Sequence, residues 1–285
     1  MRNLKFILFG ISQILSFPLM AQTVSNVQAE QVGKQIVITD SLDKQADILT
    51  FTINGVTFNM VKVAGGTFTM GATAEQEVYA EDDERPAHQL TLSDYHIGQT
   101  EVTQALWTAV MRDNPSEFKG DNLPVTDVSW DDCQTFIEKL NSLLSNELGG
   151  KRFALPTEAQ WEFAARGGNK SLGYRYAGSN EIDDVAWYSG NSGEQLHPVA
   201  QKQPNELGLY DMSGNVEEWC QDWYDEGYYH ISPKNNPQGP VSGTLLVLRG
   251  GSWDYGAGNC RVSYRSGYEP DAAIDYLGLR LCLIP

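Results

Sequence analysis

The sequence "RGGSWDYGAGNC", residues 249–260, has the composition of a loop at the edge of a pocket. Two glycines, a serine and a tryptophan lead into a run of small residues that ends at Cys260. Glycine adopts backbone conformations that other residues avoid, so this run predicts a tight, irregular turn. Cys260 then has three possible roles: it does chemistry, it cross-links the fold, or it marks where a binding loop begins.

Length and charge narrow the class of protein. The chain has 285 residues, 41% of them hydrophobic, which is enough to bury a substantial core. Its formal net charge of −17 opposes binding to nucleic acid or to an anionic membrane surface, and no basic cluster offsets that charge locally. We therefore expect no nucleic-acid partner.

The first residues have the pattern of a signal peptide. Arg2 and Lys5 precede an apolar run over residues 6–20, which a small residue, Ala21, closes. Glycine, serine, glutamine and proline interrupt a run already short for a membrane helix. We predict a signal peptide at residues 1–21 and a mature chain without a transmembrane segment, exported to the periplasm or the extracellular space and soluble there.

The rest of the chain reads as an N-terminal extension followed by one large domain. Residues 22–60 alternate apolar and polar side chains and predict short strands, so they form a β-rich extension, and the domain spans residues 61–285. The run at 75–88 is acidic and predicts an exposed loop, and residues 88–103 predict a strand pair. After residue 169 the sequence predicts long loops pinned by aromatic side chains.

Three segments predict helices because each starts at a residue that caps helix N-termini. Thr103 precedes "QALWTAVM", and Ser129 begins the segment at 129–144. In "LPTEAQWEFAARGG", residues 155–168, Thr157 and Gln160 have the spacing of a capping box. Cys133 lies on the apolar stripe of the second helix, so we expect it to face the core.

Several phrases occur in an order that resembles the formylglycine-generating enzyme, or sulfatase-modifying factor, family. The phrases are "GGTFTMG" (65–71), "ERPAHQLTLSDYHIGQTEVT" (84–103), "LPVTDVSWDD" (123–132), "LPTEAQWEFAARGG" (155–168), "NELGLYDMSGNVEEW" (205–219), "LRGGSW" (248–253) and "YLGLRL" (276–281). The resemblance implies a single irregular α+β domain, related to C-type lectins, with low regular secondary structure.

The resemblance also implies a copper-dependent oxidation, but this sequence lacks the pair of cysteines that the oxidation requires. Oxidase members have two cysteines shortly after the "GGS" motif, which bind copper as thiolates and use oxygen to oxidise a cysteine of a sulfatase to formylglycine. Here Tyr255 stands where the first of these cysteines would be. We predict no catalytic residue; Cys260 and Ser252 are the candidates if the oxidase alternative holds, and copper is expected only in that case.

The four cysteines predict disulfides. An even number of cysteines in an oxidising compartment usually pairs, and four cysteines allow three pairings. We favour Cys220 with Cys260 and Cys133 with Cys282, which would tie the last segment to the body of the domain.

The resemblance implies a structural calcium ion at "YDMSGNVEEW". Asp211 and Glu218 would supply carboxylates, and Gly214 and Val216 would supply backbone carbonyls, which are the hard oxygen ligands that calcium prefers. A solvated acidic turn is the alternative. Glu217 replaces the tryptophan that the family has in this motif.

Two C-terminal loops, at 253–259 and 266–276, mix tyrosine with small and polar residues, as binding paratopes do. The predicted ligand-binding residues are Trp253, Asp254, Tyr255, Asn259, Tyr268, Asp271, Asp275 and Tyr276. Every residue in 254–259 and 271–276 is reachable from an AAC codon by changing adenines alone, which resembles the variable proteins of diversity-generating retroelements.

Three functions follow from these observations. The first is a non-catalytic protein that binds a protein or carbohydrate ligand through its C-terminal loops, as a retroelement's diversified variable protein does. The second is a formylglycine-generating oxidase that matures sulfatases. The third is a structural component of a cell-envelope assembly.

Overall fold

A computed structural model describes residues 47–285. The predicted signal peptide and most of the predicted extension lie outside the described residues. In chain order the strands are β1 (Ile48–Ile53), β2 (Val56–Val63), β3 (Gly66–Met70), β4 (His88–Leu92), β5 (Tyr95–Gly98), β6 (Arg152–Ala154), β7 (Glu217–Trp223), β8 (Leu246–Arg249), β9 (Ser266–Tyr268), β10 (Leu277–Leu279) and β11 (Cys282–Ile284). The α-helices are α1 (Gln104–Met111), α2 (Trp130–Leu143), α3 (Glu158–Ala165) and α4 (Ile182–Val185).

The three predicted helices are confirmed together with their caps. The side chains of Thr103, Ser129 and Thr157 accept backbone hydrogen bonds at the starts of α1, α2 and α3. Thr157 and Gln160 form the predicted capping box of α3. Cys133 is fully buried on α2, as the apolar stripe predicts.

The strands form two main sheets and a hairpin. The first sheet has the order β1-β2-β5-β11-β6 and is antiparallel throughout. The second has the order β10-β7-β8-β9, in which β10 runs parallel to β7. Strands β3 and β4 form a separate two-stranded antiparallel sheet. The domain is therefore a single α+β unit of short elements joined by long loops, as the sequence predicts.

Two details differ from the sequence prediction of strands. Strands β4 and β5 are not a pair, because β4 pairs with β3 while β5 lies between β2 and β11. Strand β2 crosses the predicted domain boundary at residue 61 and pairs with β5, so the end of the predicted extension forms the edge of the main sheet.

Helix α3 lies at the centre of the domain and carries charge into its core. Trp161 and Phe163 are fully buried on this helix, and so are the carboxylates of Glu158 and Glu162. Arg265 donates to both oxygens of Glu158, and Arg249 donates to Glu162. These ion pairs connect α3 to the strands that flank the C-terminal loops.

The prediction that residues 75–88 form an exposed loop is wrong for Glu84. Glu84 is fully buried, and Arg261 donates to both of its oxygens at 2.6 and 2.8 Å. A buried carboxylate requires such a counter-charge, which lies 177 residues away in the chain and leaves no local sequence signal.

Between residues 47 and 285, no helix is both long enough and apolar enough to cross a membrane.

Candidate functional site

The glycines after β8 fold the loop at 253–259 back on itself. Gly251 has a φ of +68°, and a Cβ atom there would lie 2.6 Å from the carbonyl oxygen of Asn259. A residue with a side chain would therefore push the two ends of the loop apart. The amide of Trp253 donates to the carbonyl of Asn215 at 2.9 Å, which holds the loop against the "SGNVEEW" segment.

Three tyrosines from the two C-terminal loops meet. The rings of Tyr255 and Tyr276 lie 5.3 Å apart, and the hydroxyls of Tyr268 and Tyr276 lie 3.0 Å apart. All three side chains are half-buried. We call Tyr255, Tyr268 and Tyr276 the tyrosine cluster; in it the two loops that are predicted to bind a ligand contact each other.

A buried carboxyl group lies next to the tyrosine cluster. Glu217 begins β7 and is fully buried, and its amide donates to the carbonyl of Tyr276 at 2.9 Å. Its Oε1 accepts a hydrogen bond of 2.6 Å from Ser266 on β9, whereas its Oε2 has no partner. Burial raises the pKa of Glu217 to about 7, although the Ser266 hydrogen bond opposes the rise.

The ionisation of the tyrosines follows from the same burial. The pKa of Tyr276 is raised to about 12 by burial and by its hydrogen bond with Tyr268. The pKa of Tyr255 is raised by burial and by the charge of Glu217. Tyr255 and Tyr276 are therefore neutral hydrogen-bonding aromatics and not nucleophiles at physiological pH.

The remaining predicted ligand-binding residues differ in exposure. Asp254 and Asp271 are exposed, and Asp275 and Asn259 are half-buried. Trp253 is the exception, because it is only 8% exposed and packs with Leu196, Val216 and Tyr276. Its indole supports the loop from the inside.

Neither of the two alternative catalytic residues is hydrogen-bonded to an activating base. Cys260 is fully buried, and the sulfur donates only to the carbonyl of Gly256, at 3.8 Å. Burial raises the pKa of Cys260 to about 12, so the nucleophilic thiolate is not formed at physiological pH. Ser252 is buried as well, and its Oγ accepts from the amide of Asp254 at 3.4 Å.

The predicted disulfides are absent. All four cysteines are free and buried. Cys133, Cys220 and Cys260 lie in three different hydrophobic clusters, and Cys282 shares the cluster of Cys220. Both predicted pairs would have joined cysteines of different clusters. The cysteines act here as small apolar core residues, a role that an even count does not distinguish from pairing.

The predicted calcium ligands fit the ion only in part. Asp211 is buried with its Oδ1 unpartnered, which suits a cation. Glu218 does not fit, because Arg280 donates to both of its oxygens and Trp161 donates to its Oε2 at 2.7 Å. In the described part of the chain, no group of three or more His, Cys, Asp or Glu side chains is arranged to hold a metal ion. Calcium stays a prediction that depends on Asp211 and the carbonyls of the turn.

Asp211 has a neighbour that the sequence did not suggest. Glu101 is buried beside it, with its Oε2 unpartnered, and Asn215 donates to its Oε1 at 3.1 Å. Burial raises the pKa of Asp211 to about 6, and burial and the charge of Asp211 raise the pKa of Glu101 well above its usual range.

A cavity of about 470 Å³ lies apart from the C-terminal loops. Its lining includes Thr57, Asn59, Glu101 and Asn122, and none of its lining residues belongs to 253–259 or 266–276.

Comparison with known proteins identifies the family. Residues 49–283 match the model of the sulfatase-modifying factor enzyme 1-like domain. The chain belongs to the sulfatase-modifying factor family. It is 34% identical over 272 residues to the chaperone protein LppX of Paenibacillus barcinonensis, covering 79% of this chain and 89% of that one. It is 32% identical over 292 residues to the formylglycine-generating enzyme of Streptomyces coelicolor, covering 79% and 88%.

A solved structure extends the comparison to the fold. Treponema denticola variable protein 1 superposes with a TM-score of 0.76 and 33% identity, covering 85% of this chain and all of that one. The chain is thus similar to proteins named as an enzyme, a chaperone and a variable protein, so family membership alone does not assign a function to it.

Sequence reasoning missed the residue at the base of the site. Glu217 was noted only as a departure from the family's tryptophan. A charged residue at a position where the sulfatase-modifying factor family has a large aromatic one was itself a signal of a changed site. Ser266, the hydrogen-bond partner of Glu217, lies 49 residues away and gave no signal.

Proposed function

We propose that this protein is an exported, non-catalytic member of the sulfatase-modifying factor family that binds a protein or carbohydrate ligand through the loops 253–259 and 266–276. The observation that carries the proposal is the tyrosine cluster. At the position where the oxidase needs a thiol, Tyr255 instead contacts Tyr276 of the other loop. Half-buried tyrosines on rigidly anchored loops favour binding, because they bring large contact area at low entropic cost.

Two further observations support the proposal. The fold matches that of a variable protein over most of both chains. The codon pattern of 254–259 and 271–276 covers the same loops, which favours a diversified binding surface of the retroelement type. Export is part of the proposal and depends on the pattern of residues 1–21.

The second candidate function, a formylglycine-generating oxidase, is favoured by the 32% identity to the Streptomyces coelicolor enzyme. Two observations oppose it: Tyr255 stands at the position of the first active cysteine, and the two buried thiols after the "GGS" motif, Cys260 and Cys282, are far apart in the sequence. A copper site of this type needs two soft thiolate ligands, and removing one halves the ligand set.

Mass spectrometry separates the two functions. We expect alkylation without reductant to label none of the four cysteines in the native protein and all four after denaturation, because all are buried. We also expect no formylglycine in a CxPxR peptide incubated with the protein, copper and oxygen. A Cys260→Ser variant is the control. If the wild type oxidises the peptide and this variant does not, the oxidase function is established. If the cysteines stay unlabelled in the denatured protein, they are paired in disulfides.

A further inference from the structure

The tyrosine cluster lies over a carboxyl group that the chain leaves without a counter-charge. Glu217 is fully buried, one oxygen accepts from Ser266, and the other accepts from no group. An ionised carboxylate in such a place is costly unless a cation or additional donors reach it. The carboxyl group lies close to the tyrosine cluster, because the Glu217 amide donates to the carbonyl of Tyr276 and because burial and the charge of Glu217 together raise the pKa of Tyr255.

The surrounding loops add negative charge only. Asp254, Glu269 and Asp271 are exposed, and Asp275 is half-buried. The loops 253–259 and 266–276 contain no lysine, arginine or histidine. Burial and the carboxylates of Asp127, Glu117 and Asp254 raise the pKa of Asp275, which shows that these negative charges act on one another.

The arginines nearest in sequence do not neutralise this charge. Arg261 is buried and donates to both oxygens of Glu84. Arg265 is buried and donates to both oxygens of Glu158. Each of these arginines is already paired with a buried carboxylate outside the two loops, so neither neutralises the negative charge of the loops.

Building on the proposed function, we infer that the group received at the tyrosine cluster is an alkylammonium cation, such as the end of a lysine side chain or a choline group. The faces of tyrosine rings attract cations. The acidic rim attracts a cation from solution and disfavours anionic ligands. Glu217 supplies a negative charge beside the tyrosine cluster, and the incoming cation supplies the counter-charge that the chain lacks.

Titration with small probes at pH 8 tests the inference. The full chain is titrated with choline, with Nα-acetyl-lysine methylamide and with 3,3-dimethylbutan-1-ol, the neutral isostere of choline, while the tyrosine ring signals are followed by NMR. We expect at least one cation to bind about tenfold more tightly than the neutral isostere. Tighter binding of the lysine probe would indicate a protein partner, and tighter binding of choline would indicate a choline-bearing one.

Matched variants locate the site. Y276A and E217Q should each weaken cation binding several-fold, whereas Y276F, which keeps the ring, and Y79A, which removes an exposed tyrosine elsewhere, should not. Thermal melting verifies that each variant is folded. Absence of cation binding, or equal binding of the neutral isostere, overturns the inference. If the isostere binds and Y276A abolishes that binding, the loops remain a binding surface and only the charge of the ligand is wrong.

Discussion

Replacing Arg280 by methionine should destabilise the domain by about 3–5 kcal/mol, because it leaves the buried Glu218 carboxylate without its counter-charge. Arg280 is fully buried and donates to Glu218 at 2.7 Å, to the carbonyl of Gly98 at 3.0 Å and to the carbonyl of Tyr210 at 2.9 Å. One side chain thus connects the C-terminal strands to β5 and β7. Urea unfolding measures the loss of stability.

An exposed ion pair in the same chain provides the control. Arg85 and Glu77 lie 2.8 Å apart, with 37% and 54% of their side chains exposed. R85M should cost about 1 kcal/mol or less, since water replaces the lost partner. Equal costs for R280M and R85M would contradict the view that the buried ion pairs hold the C-terminal strands in place.

Replacing Glu217 by glutamine should stabilise the protein at pH 8 and leave it nearly unchanged at pH 4.5. Burial raises the pKa of Glu217 from 4.5 to about 7. The folded state therefore binds the proton more tightly than the unfolded state. The stability that this provides is complete below pH 4.5 and is lost as the pH rises to 7. This pKa difference between the folded and unfolded states corresponds to a loss of about 3 kcal/mol of stability at high pH. E217Q avoids the loss because glutamine carries no charge to bury.

Unfolding of the wild type and E217Q at both pH values measures this effect. Asp211 and Asp222 also have raised pKa values, of about 6 and about 8, but both are present in the two proteins and cancel in the comparison. Ser266→Ala is a second test: it removes the hydrogen bond that favours the charged form, so the loss of stability should become larger and extend to higher pH. A stability difference that does not change with pH would exclude Glu217 as the titrating group.

The fold was predictable wherever the signal was local. Helix caps at Thr103, Ser129 and Thr157 depend on residues within one turn, and all three helices were confirmed. Strand partners depend on residues far apart in the chain, which explains why β4 and β5 were paired wrongly. Residues after 169 form a four-stranded sheet of short strands whose ends are held by buried arginines, and short strands of this kind have little periodicity.

The candidate site was predictable in its outline and not in its interior. The composition of the two loops indicated ligand-binding residues but not that the loops meet, and the structure brings Tyr255, Tyr268 and Tyr276 together. The interior of the site depends on which side chains are buried, which the loop composition does not indicate. Trp253 is packed inside, and Glu217 is buried beside the tyrosines. A count of cysteines suggested cross-links, but each thiol fills apolar space in the core, which depends on packing that no spacing reveals.

Binding of the full chain to peptide and glycan arrays tests whether the loops after β8 form a binding surface. Wild type is compared with a Y255A/Y276A double variant and with Y79A, which removes an exposed tyrosine outside the loops. We expect ligands that bind wild type and Y79A equally but do not bind the double variant. The melting curve of the double variant must show a folded domain. Ligand binding that the double variant retains in full would contradict the account.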